Sequence, residues 1–279
     1  TFRLLDFADL TVDGSIATGA AVSVMLIRAG VSPIATLPIA FLAGALAGMV
    51  TGLLNTALGI PGILASILTQ ISLYSINLNI MGKANQPVSV DNYPLVVSLR
   101  YVTDGSVSRL LFFLGMIVFL LALIAVMYWY FGTEQGHAIR ATGCNSNMAR
   151  AQGINTNFIK VLALMISNGL VGLCGALYGQ FQGASDVNMG RGAIVIGLAA
   201  VIIGEVLFGK FASKRKLAFA FTLASVILGA VIYYMVYQFV LWLKMPSEDM
   251  KLFSAIVVAI FLAIPYLKEK RTLRKGASK

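Results

Sequence analysis

Residues 132–160 read GTEQGHAIRATGCNSNMARAQGINTNFIK and interrupt a chain that is otherwise dominated by apolar runs. The long uncharged stretches are 29–82, 110–133, 161–185 and 217–243. Each is long enough for at least one membrane-spanning helix, which needs about 20 apolar residues. The polar segment, here named the island, therefore lies between membrane spans. Its basic sequence, interrupted by glycines, predicts contact with a soluble partner.

The composition predicts an all-α polytopic membrane protein. The chain is 58% hydrophobic and 11% charged, whereas soluble domains carry roughly 25% charged residues. We expect helical spans because the bilayer interior satisfies backbone polar groups only within a helix or a closed barrel. A single transmembrane domain, 1–279, would hold about eight spans of the usual length. We place them at 12–28, 34–54, 60–80, 109–131, 158–182, 192–209, 217–243 and 251–267.

The charge distribution predicts the orientation. The net charge is +10, and Lys and Arg concentrate in the island, in 210–216 and in the tail 268–279. This pattern is typical of the cytoplasmic side of a membrane protein rather than of a nucleic-acid surface. We therefore expect the island and the C-terminus in the cytoplasm, and Arg191 falls on the outer side by alternation. Cys144 and Cys174 are too few for a disulfide framework, so reduced thiols are expected.

Polar residues inside the spans are the first candidate functional residues. Asp6, Asp9 and Asp13 lie close together at the first span, where a broken helix with capped ends explains them better than a cation site. His137 is the only histidine, so we expect neither a metal site nor enzyme chemistry. The candidates for a translocation path or a helix break are Asp9, Asp13, Asn55, Gln70, Asn168 and Glu205. Bonding between helices is their alternative role, and for Glu205 a structural ion pair with Lys210 or with an Arg of another loop is favoured.

Small residues recur at the spacing that lets helices approach closely. Gly44, Gly48 and Gly52 share one helix face, and Gly175 with Gly179 repeats the pattern. Such faces serve either dimerisation or packing within one subunit. The second interpretation is favoured here.

The order of residues in the island resembles a known pattern. Residues 138–155 read AIRATGCNSNMARAQGIN, which predicts two short helices separated at 143–145, with Gly153 ending the second. This resembles R-A-x-G-x-N-x-x-A-A-x-x-x-G-I-N in the permease subunits of bacterial ABC importers, in the branch serving ribose-type sugars and branched-chain amino acids; Met148 departs from it. DFADLTVDGSIATGA, GIPGILASILT and GRGAIVIGLAAVIIGE are similar to further segments of that family, in family order. DFADLTVDGS is most similar to a poorly characterised group paired with tryptophan-type binding lipoproteins.

The resemblance implies a function and a set of partners. The family forms a homodimeric pore in the bacterial plasma membrane, with two ATPase subunits below and an extracytoplasmic substrate-binding lipoprotein above. ATP and Mg would bind the ATPase, and this chain would hold no cofactor. The segment 133–157 would couple to the ATPase through Arg140, Ala141, Gly143, Asn145, Ala149, Arg150, Gly153, Ile154 and Asn155.

Several alternatives remain open at this point. The external loop 81–108, which includes Asn85, Asp91, Asn92, Arg100 and Asp104, is either a landing surface for the binding protein or a solvated loop. The family has one further span before the region that aligns with residues 2–10, so we expect a ninth helix ahead of this chain. The solute is an amino acid, a nucleoside or a sugar, with an aromatic amino acid as the narrowest guess. The competing functions are an ion-coupled secondary transporter or channel, and an assembly subunit that transports nothing.

Overall fold

A computed structural model describes residues 1–89, 92–93, 95–98, 109–212 and 218–242, together with 256, 259 and 263. The chain divides into two compact units, Thr1–Arg191 and Gly192–Lys279.

The first unit contains eight described helices and one small sheet. The helices are α1 Phe2–Leu5, α2 Val12–Arg28, α3 Pro33–Thr56, α4 Gly62–Met81, α5 Arg109–Phe131, α6 Glu134–Cys144, α7 Ser146–Ala151 and α8 Thr156–Gln182. The strands are β1 Asn85–Pro87 and β2 Ala184–Asp186. In the second unit, the described helices include α9 Ala193–Ala212 and α10 Ala218–Trp242.

The predicted spans agree with these helices. Five helices in the described part of the chain are long and apolar enough to cross a membrane: Pro33–Thr56, Gly62–Met81, Phe112–Phe131, Thr156–Gln182 and Phe221–Gln238. Ala193–Leu207, within the predicted span 192–209, is a shorter apolar helix, and the predicted span 251–267 lies almost wholly outside the described residues. The long run 29–82 divides into α3 and α4 as expected. The protein is all-α and polytopic.

Close backbone contact holds the first unit together. A Cβ atom added at Gly44 would lie 2.2 Å from the carbonyl oxygen of Asn168, and one at Gly48 would lie 2.2 Å from that of Leu164. A Cβ at Gly175 would lie 2.1 Å from the carbonyl oxygen of Ile16. Helices α2 and α3 therefore touch α8 backbone to backbone, which only a missing side chain allows. The glycine faces pack within one subunit, as the sequence predicted.

The N-terminal segment is broken as the sequence predicted. Helix α1 ends at Asp6, which adopts a left-handed φ of 52°, and α2 starts only at Val12. Ser15, in the first turn of α2, bonds to Asn168 near the middle of α8. The start of α2 therefore lies level with the middle of a helix long enough to span the membrane.

One end of the first unit carries the island and the other carries the sheet. Helix α1 packs on α6, where a Cβ at Gly143 would lie 2.0 Å from the carbonyl oxygen of Leu4. At the opposite end β1 pairs antiparallel with β2, and Gln86 faces Ser185. The loop beyond β1 buries Val88 and Leu95 against α2. The three-residue strand Asn85–Pro87 was not predicted, because NQP lacks the branched and aromatic residues typical of strands.

The chain then turns back into the unit. After β2, residues 187–192 form turns, and a Cβ at Gly190 would lie 1.9 Å from the carbonyl oxygen of Asp13. Arg191 is therefore near the level of the first turn of α2. By alternation Arg191 was assigned to the outer side, and charge counting treats a connection as a surface loop, so it cannot register a segment that folds back.

In the second unit, glycine again allows two helices to pack in backbone contact. Ala199, Ile203 and Tyr233 form its described core. A Cβ at Gly204 would lie 2.2 Å from the carbonyl oxygen of Ser225. Helices α9 and α10 are thus held in direct backbone contact.

Candidate functional site

A buried hydrogen-bonded cluster surrounds Asp9, and we name Asp9, Thr11, Ser15 and Asn168 the Asp9 network. Asp9 is 3% exposed. Its Oδ1 accepts from the backbone N–H of Thr11 at 3.0 Å, and its Oδ2 accepts from Nδ2 of Asn168 at 2.7 Å. The Oδ1 of Asn168 in turn accepts from the Ser15 hydroxyl at 2.7 Å. Both oxygens of this buried carboxylate are satisfied, which is what makes it tolerable in an apolar interior.

Three threonines extend the cluster across the helices. The hydroxyls of Thr11 and Thr51 lie 2.8 Å apart, and the Thr51 hydroxyl donates to that of Thr69 at 2.9 Å. Thr11 occupies the N-cap position of α2 without a side-chain capping bond. Asp9 and not Thr11 therefore provides the side-chain oxygen at this helix start.

Gln180 organises a separate polar cluster near the sheet. Its Nε2 lies 3.1 Å from the Ser23 hydroxyl oxygen and 3.4 Å from that of Thr36. Its Oε1 accepts from the backbone N–H of Val96 at 3.0 Å. Gln180 thus ties the loop after β1 to helices α2, α3 and α8. It lies about 18 Å along α8 from Asn168, so the two side chains belong to different clusters.

A cavity of about 300 Å³ lies between the first turn of α2, helix α4 and the 187–191 turn. Its polar lining contains one acid, one base and several amides: Asp13, Gln70, Asn77, Asn188 and Arg191, with the ring of Tyr74 beside them. Asn77 is fully buried, and neither its Nδ2 nor its Oδ1 has a hydrogen-bond partner in the structure. This cavity differs from the Asp9 network because one buried amide of its polar lining, that of Asn77, has no hydrogen-bond partner.

The remaining sequence candidates are distributed over other parts of the chain. Asn55 donates from Nδ2 to the carbonyl oxygen of Ile60 at 2.8 Å, so it closes the turn between α3 and α4. Glu205 is half-buried in α9 of the second unit, and the Lys210 side chain lies outside the described residues. Among the residues that the structure describes, no group of three or more His, Cys, Asp or Glu side chains could hold a metal ion. Cys144 and Cys174 are both free thiols.

The island forms two short helices whose starts are capped by side chains. The Thr133 hydroxyl accepts from the backbone N–H of Gly136 at 3.4 Å, and Asn145 Oδ1 accepts from that of Met148 at 3.0 Å. Asn155 repeats the arrangement at the start of α8, accepting from Phe158 at 3.2 Å. Each cap satisfies a backbone donor that a helix leaves unpaired. The two asparagines of the resemblance motif are therefore N-caps, and Gly153 adopts the left-handed φ of 85° that ends the second helix.

Exposure divides the predicted coupling residues into two groups. Arg140, Asn145, Arg150, Gly153 and Asn155 are exposed, whereas Ala141, Gly143 and Ile154 are half-buried. Ala149 is buried within this chain, so its predicted contact with the ATPase does not fit its position.

Two exposed apolar residues of the island were not predicted as contact residues. Met148 is 60% exposed and Phe158 is 58% exposed. Each lies three residues after an N-cap asparagine, in the first turn of its helix. Arg150 also bonds within the chain, from Nη2 to the Thr156 hydroxyl at 3.1 Å.

The predicted external loop, 81–108, is folded in part. Asn85 and Asn92 are exposed, while Gln86, Val88 and Leu95 are buried. Asp91, Arg100 and Asp104 lie outside the described residues.

Arg191 and Tyr74 were also missed by the sequence reasoning. Arg191 was assigned to a loop by alternation, and Tyr74 was not among the predicted site residues. Only the folded-back turn after β2 brings Arg191 into the lining that Asp13 and Gln70 share.

Comparison with known proteins identifies the family. The family model described as "Branched-chain amino acid transport system / permease component" matches residues 1–265. The chain is 39% identical over 263 residues to the tyrosine transport system permease protein of Clostridioides difficile (strain R20291), covering 94% of this chain and 83% of that protein. It is 31% identical over 267 residues to an uncharacterised protein of Rickettsia prowazekii (strain Madrid E), covering 94% and 89%.

A more distant relative is the autoinducer 2 import system permease protein of Yersinia pseudotuberculosis (serotype O:3, strain YPIII). It is 28% identical over 238 residues, covering 84% of this chain and 62% of the relative. No solved structure matches the chain. The apolar helices and the family agree on a multi-pass membrane protein of the ABC transporter permease class. The chain belongs to the family of permease components of branched-chain amino acid transport systems.

Proposed function

We propose that this chain is the pore-forming subunit of an ATP-driven importer, with its ATPase on a separate polypeptide. The observation that carries the proposal is the pair of capped helices α6 and α7 at one end of the first unit, with Arg140 exposed on the first helix and Met148 and Arg150 exposed on the second. Apolar and cationic side chains together are typical of the contact residues of protein interfaces. The family membership supports a partner of this kind.

The packing of the island against the rest of the unit supports a role in transmitting movement to the spans. Gly136, Ile139 and Ala149 are buried, so the helix pair is fixed to the body of the unit by its inner face. Gly143 meets Leu4 of α1, and α1 leads directly into the break before α2. A push on α6 would therefore reach α1 and the start of α2 through packed backbone. ATP-driven movement would bias the spans between two packings.

The proposed assembly follows the family resemblance. Two copies of this chain would form one pore, with two ATPase subunits at the island and a substrate-binding lipoprotein at the sheet end. ATP and Mg would bind only the ATPase, and this chain would hold no cofactor. The island and the C-terminus would face the cytoplasm of a bacterial cell, which fits the excess of Lys and Arg in those segments.

The proposed substrate is an amino acid, and L-tyrosine is the first to test. The support is the similarity to the tyrosine transport permease. Nucleosides and sugars remain the alternatives, and the more distant autoinducer 2 permease is a reason to include neutral polar solutes in any transport screen.

The deciding experiment reverses the charge of the exposed Arg140. We expect Arg140→Glu to reduce retention of the ATPase on the purified permease at least roughly tenfold, since a like-charge or lost charge contact costs about 1.4 kcal/mol or more. ATP-driven uptake into proteoliposomes should fall with it. Lys83→Glu, an equally exposed reversal beside the sheet, should keep full ATPase retention.

Two results would contradict the proposal. Undiminished ATPase retention and uptake in Arg140→Glu would remove the island from the coupling role. Uptake by the permease alone under an ion gradient, with no ATPase and no ATP, would instead indicate a secondary transporter.

A further inference from the structure

The cavity between α2, α4 and the 187–191 turn has the features of a ligand site rather than of packing. Its volume of about 300 Å³ is at the lower end for small-molecule pockets. It lies beside a helix break at the level of the middle of α8, and transporter sites commonly form where spanning helices are interrupted near the midplane. The location and size therefore both suit a small solute.

The polar atoms of Asn77 give a second, independent indication. The side chain is fully buried in the lining, and both its amide nitrogen and its amide oxygen are without a partner in the structure. A buried polar group that bonds to nothing costs about 1–3 kcal/mol. Buried groups of this kind call for a partner that arrives from outside the chain.

The charges of the lining define the class of ligand. Asp13 in the first turn of α2 and Arg191 after β2 contribute one carboxylate and one guanidinium to the same cavity. A guanidinium recognises a carboxylate with paired hydrogen bonds, and a carboxylate accepts from an ammonium group. A sugar or a nucleoside offers neither charge, whereas a free amino acid offers both.

We infer that this cavity binds a zwitterionic amino acid within one permease subunit, with Arg191 holding the carboxylate and Asp13 the ammonium group. The amides of Gln70 and Asn77 complete the polar lining, and the ring of Tyr74 flanks the side chain of the ligand. The inference rests on the proposed transport function and narrows its substrate class. It assigns selectivity to the permease as well as to a binding protein.

Binding can be measured without the ATPase by protection of a thiol. Ser75 lines the cavity and is exposed, so Ser75→Cys is introduced into the full chain in a Cys144→Ser, Cys174→Ala background. We expect L-tyrosine to slow maleimide labelling of this thiol. Tyramine, which lacks the carboxylate, and 3-(4-hydroxyphenyl)propionate, which lacks the amine, should need at least roughly tenfold higher concentrations, since each loses a charge-assisted bond.

A matched control separates the cavity from the rest of α4. Ser72 is an exposed serine on the same helix, and its hydroxyl bonds to the carbonyl oxygen of Leu68. Labelling of Ser72→Cys should not respond to L-tyrosine. Equal protection of Ser75→Cys by all three compounds, protection by ribose at the same concentration as by L-tyrosine, or no protection by any of them would overturn the inference.

The two charges are then tested separately in the Ser75→Cys background. Arg191→Gln should weaken protection by L-tyrosine at least roughly tenfold and leave tyramine within about twofold. Asp13→Asn should weaken protection by L-tyrosine by a similar factor and leave protection by 3-(4-hydroxyphenyl)propionate, which lacks the amine, within about twofold. Lys83→Gln should leave protection by all three compounds unchanged. A merely structural ion pair would lower protein stability without altering this discrimination, and that result would also overturn the inference.

Failure of the inference and failure of the proposed function are distinguishable. ATP-driven uptake with no thiol protection would leave the importer intact and remove the cavity as its amino-acid site. Thiol protection with no ATP-driven uptake would support the amino-acid site and contradict the proposed importer function.

Discussion

The Asp9 network and the α2–α4 cavity lie at similar levels of the first unit but treat polar groups in opposite ways. In the network, a fully buried asparagine, Asn168, bonds to Asp9, Ser15 and its own helix. In the cavity, an equally buried asparagine, Asn77, bonds to nothing in the structure. Both residues sit in apolar helices and are the same amino acid. The two residues differ neither in type nor in burial but in whether their hydrogen bonds are satisfied. This difference separates a structural polar residue from a candidate binding residue.

The largest effect is expected from removing the centre of the network. Asn168→Ala deletes the donor to Asp9 and the acceptor of Ser15, and it leaves a buried carboxylate short of one partner. We expect a loss of about 3 kcal/mol in the free energy of unfolding. Thermal unfolding of the purified protein in detergent measures it. A stability within about 0.5 kcal/mol of the unsubstituted protein would show that the network is not structural.

An intermediate effect is expected from Thr51→Val. The Thr51 hydroxyl links Thr11 to Thr69, and valine has nearly the same shape without the hydroxyl. Hydrogen bonds between membrane helices average about 0.6 kcal/mol each, so we expect a loss of about 1 kcal/mol. The exposed Ser72→Ala, which removes a bond within one helix, is the control and should change stability less.

The smallest effect on stability is expected from Asn77→Ala, the matched partner of Asn168→Ala. It removes two buried polar atoms that have no partner, so the lost packing and the relieved desolvation should nearly cancel, within about 1 kcal/mol. Uptake of L-tyrosine should nevertheless fall, which the proteoliposome assay measures. If Asn77→Ala destabilised the protein as much as Asn168→Ala, the contrast between the two regions would be lost.

Local features of the fold could be predicted from the sequence. The helices Val12–Arg28 and Arg109–Phe131 have the bounds that the apolar runs and their flanking charges indicated. The break between α6 and α7 also followed from the sequence, because Asn145 can cap a helix start and Gly153 can adopt the conformation that ends one. These signals act over a few residues, so a single sequence contains them.

The candidate site could be predicted only in part. Asp13 and Gln70 were selected because charge and amide groups are rare in apolar spans. Arg191 was assigned to the outer surface, and no pattern in the chain indicates that residues 187–192 fold back to reach Asp13. Likewise, Asn77 and Asn168 look alike in sequence, since hydrogen-bond satisfaction depends on partners far along the chain.

The burial of α2 has a consequence for how the protein is made. Helix α2 is enclosed largely by α8, a partner that the ribosome completes only after α3 to α7. At ~5–20 residues per second, α2 waits on the order of ten seconds before its glycine contacts and the Asn168 bonds can form. During that interval the Asp9 carboxylate has no Asn168 to bond. We therefore expect the early membrane-inserted chain to keep this segment near the lipid headgroups, and the final seating of α2 to be a late, post-insertion step of biogenesis.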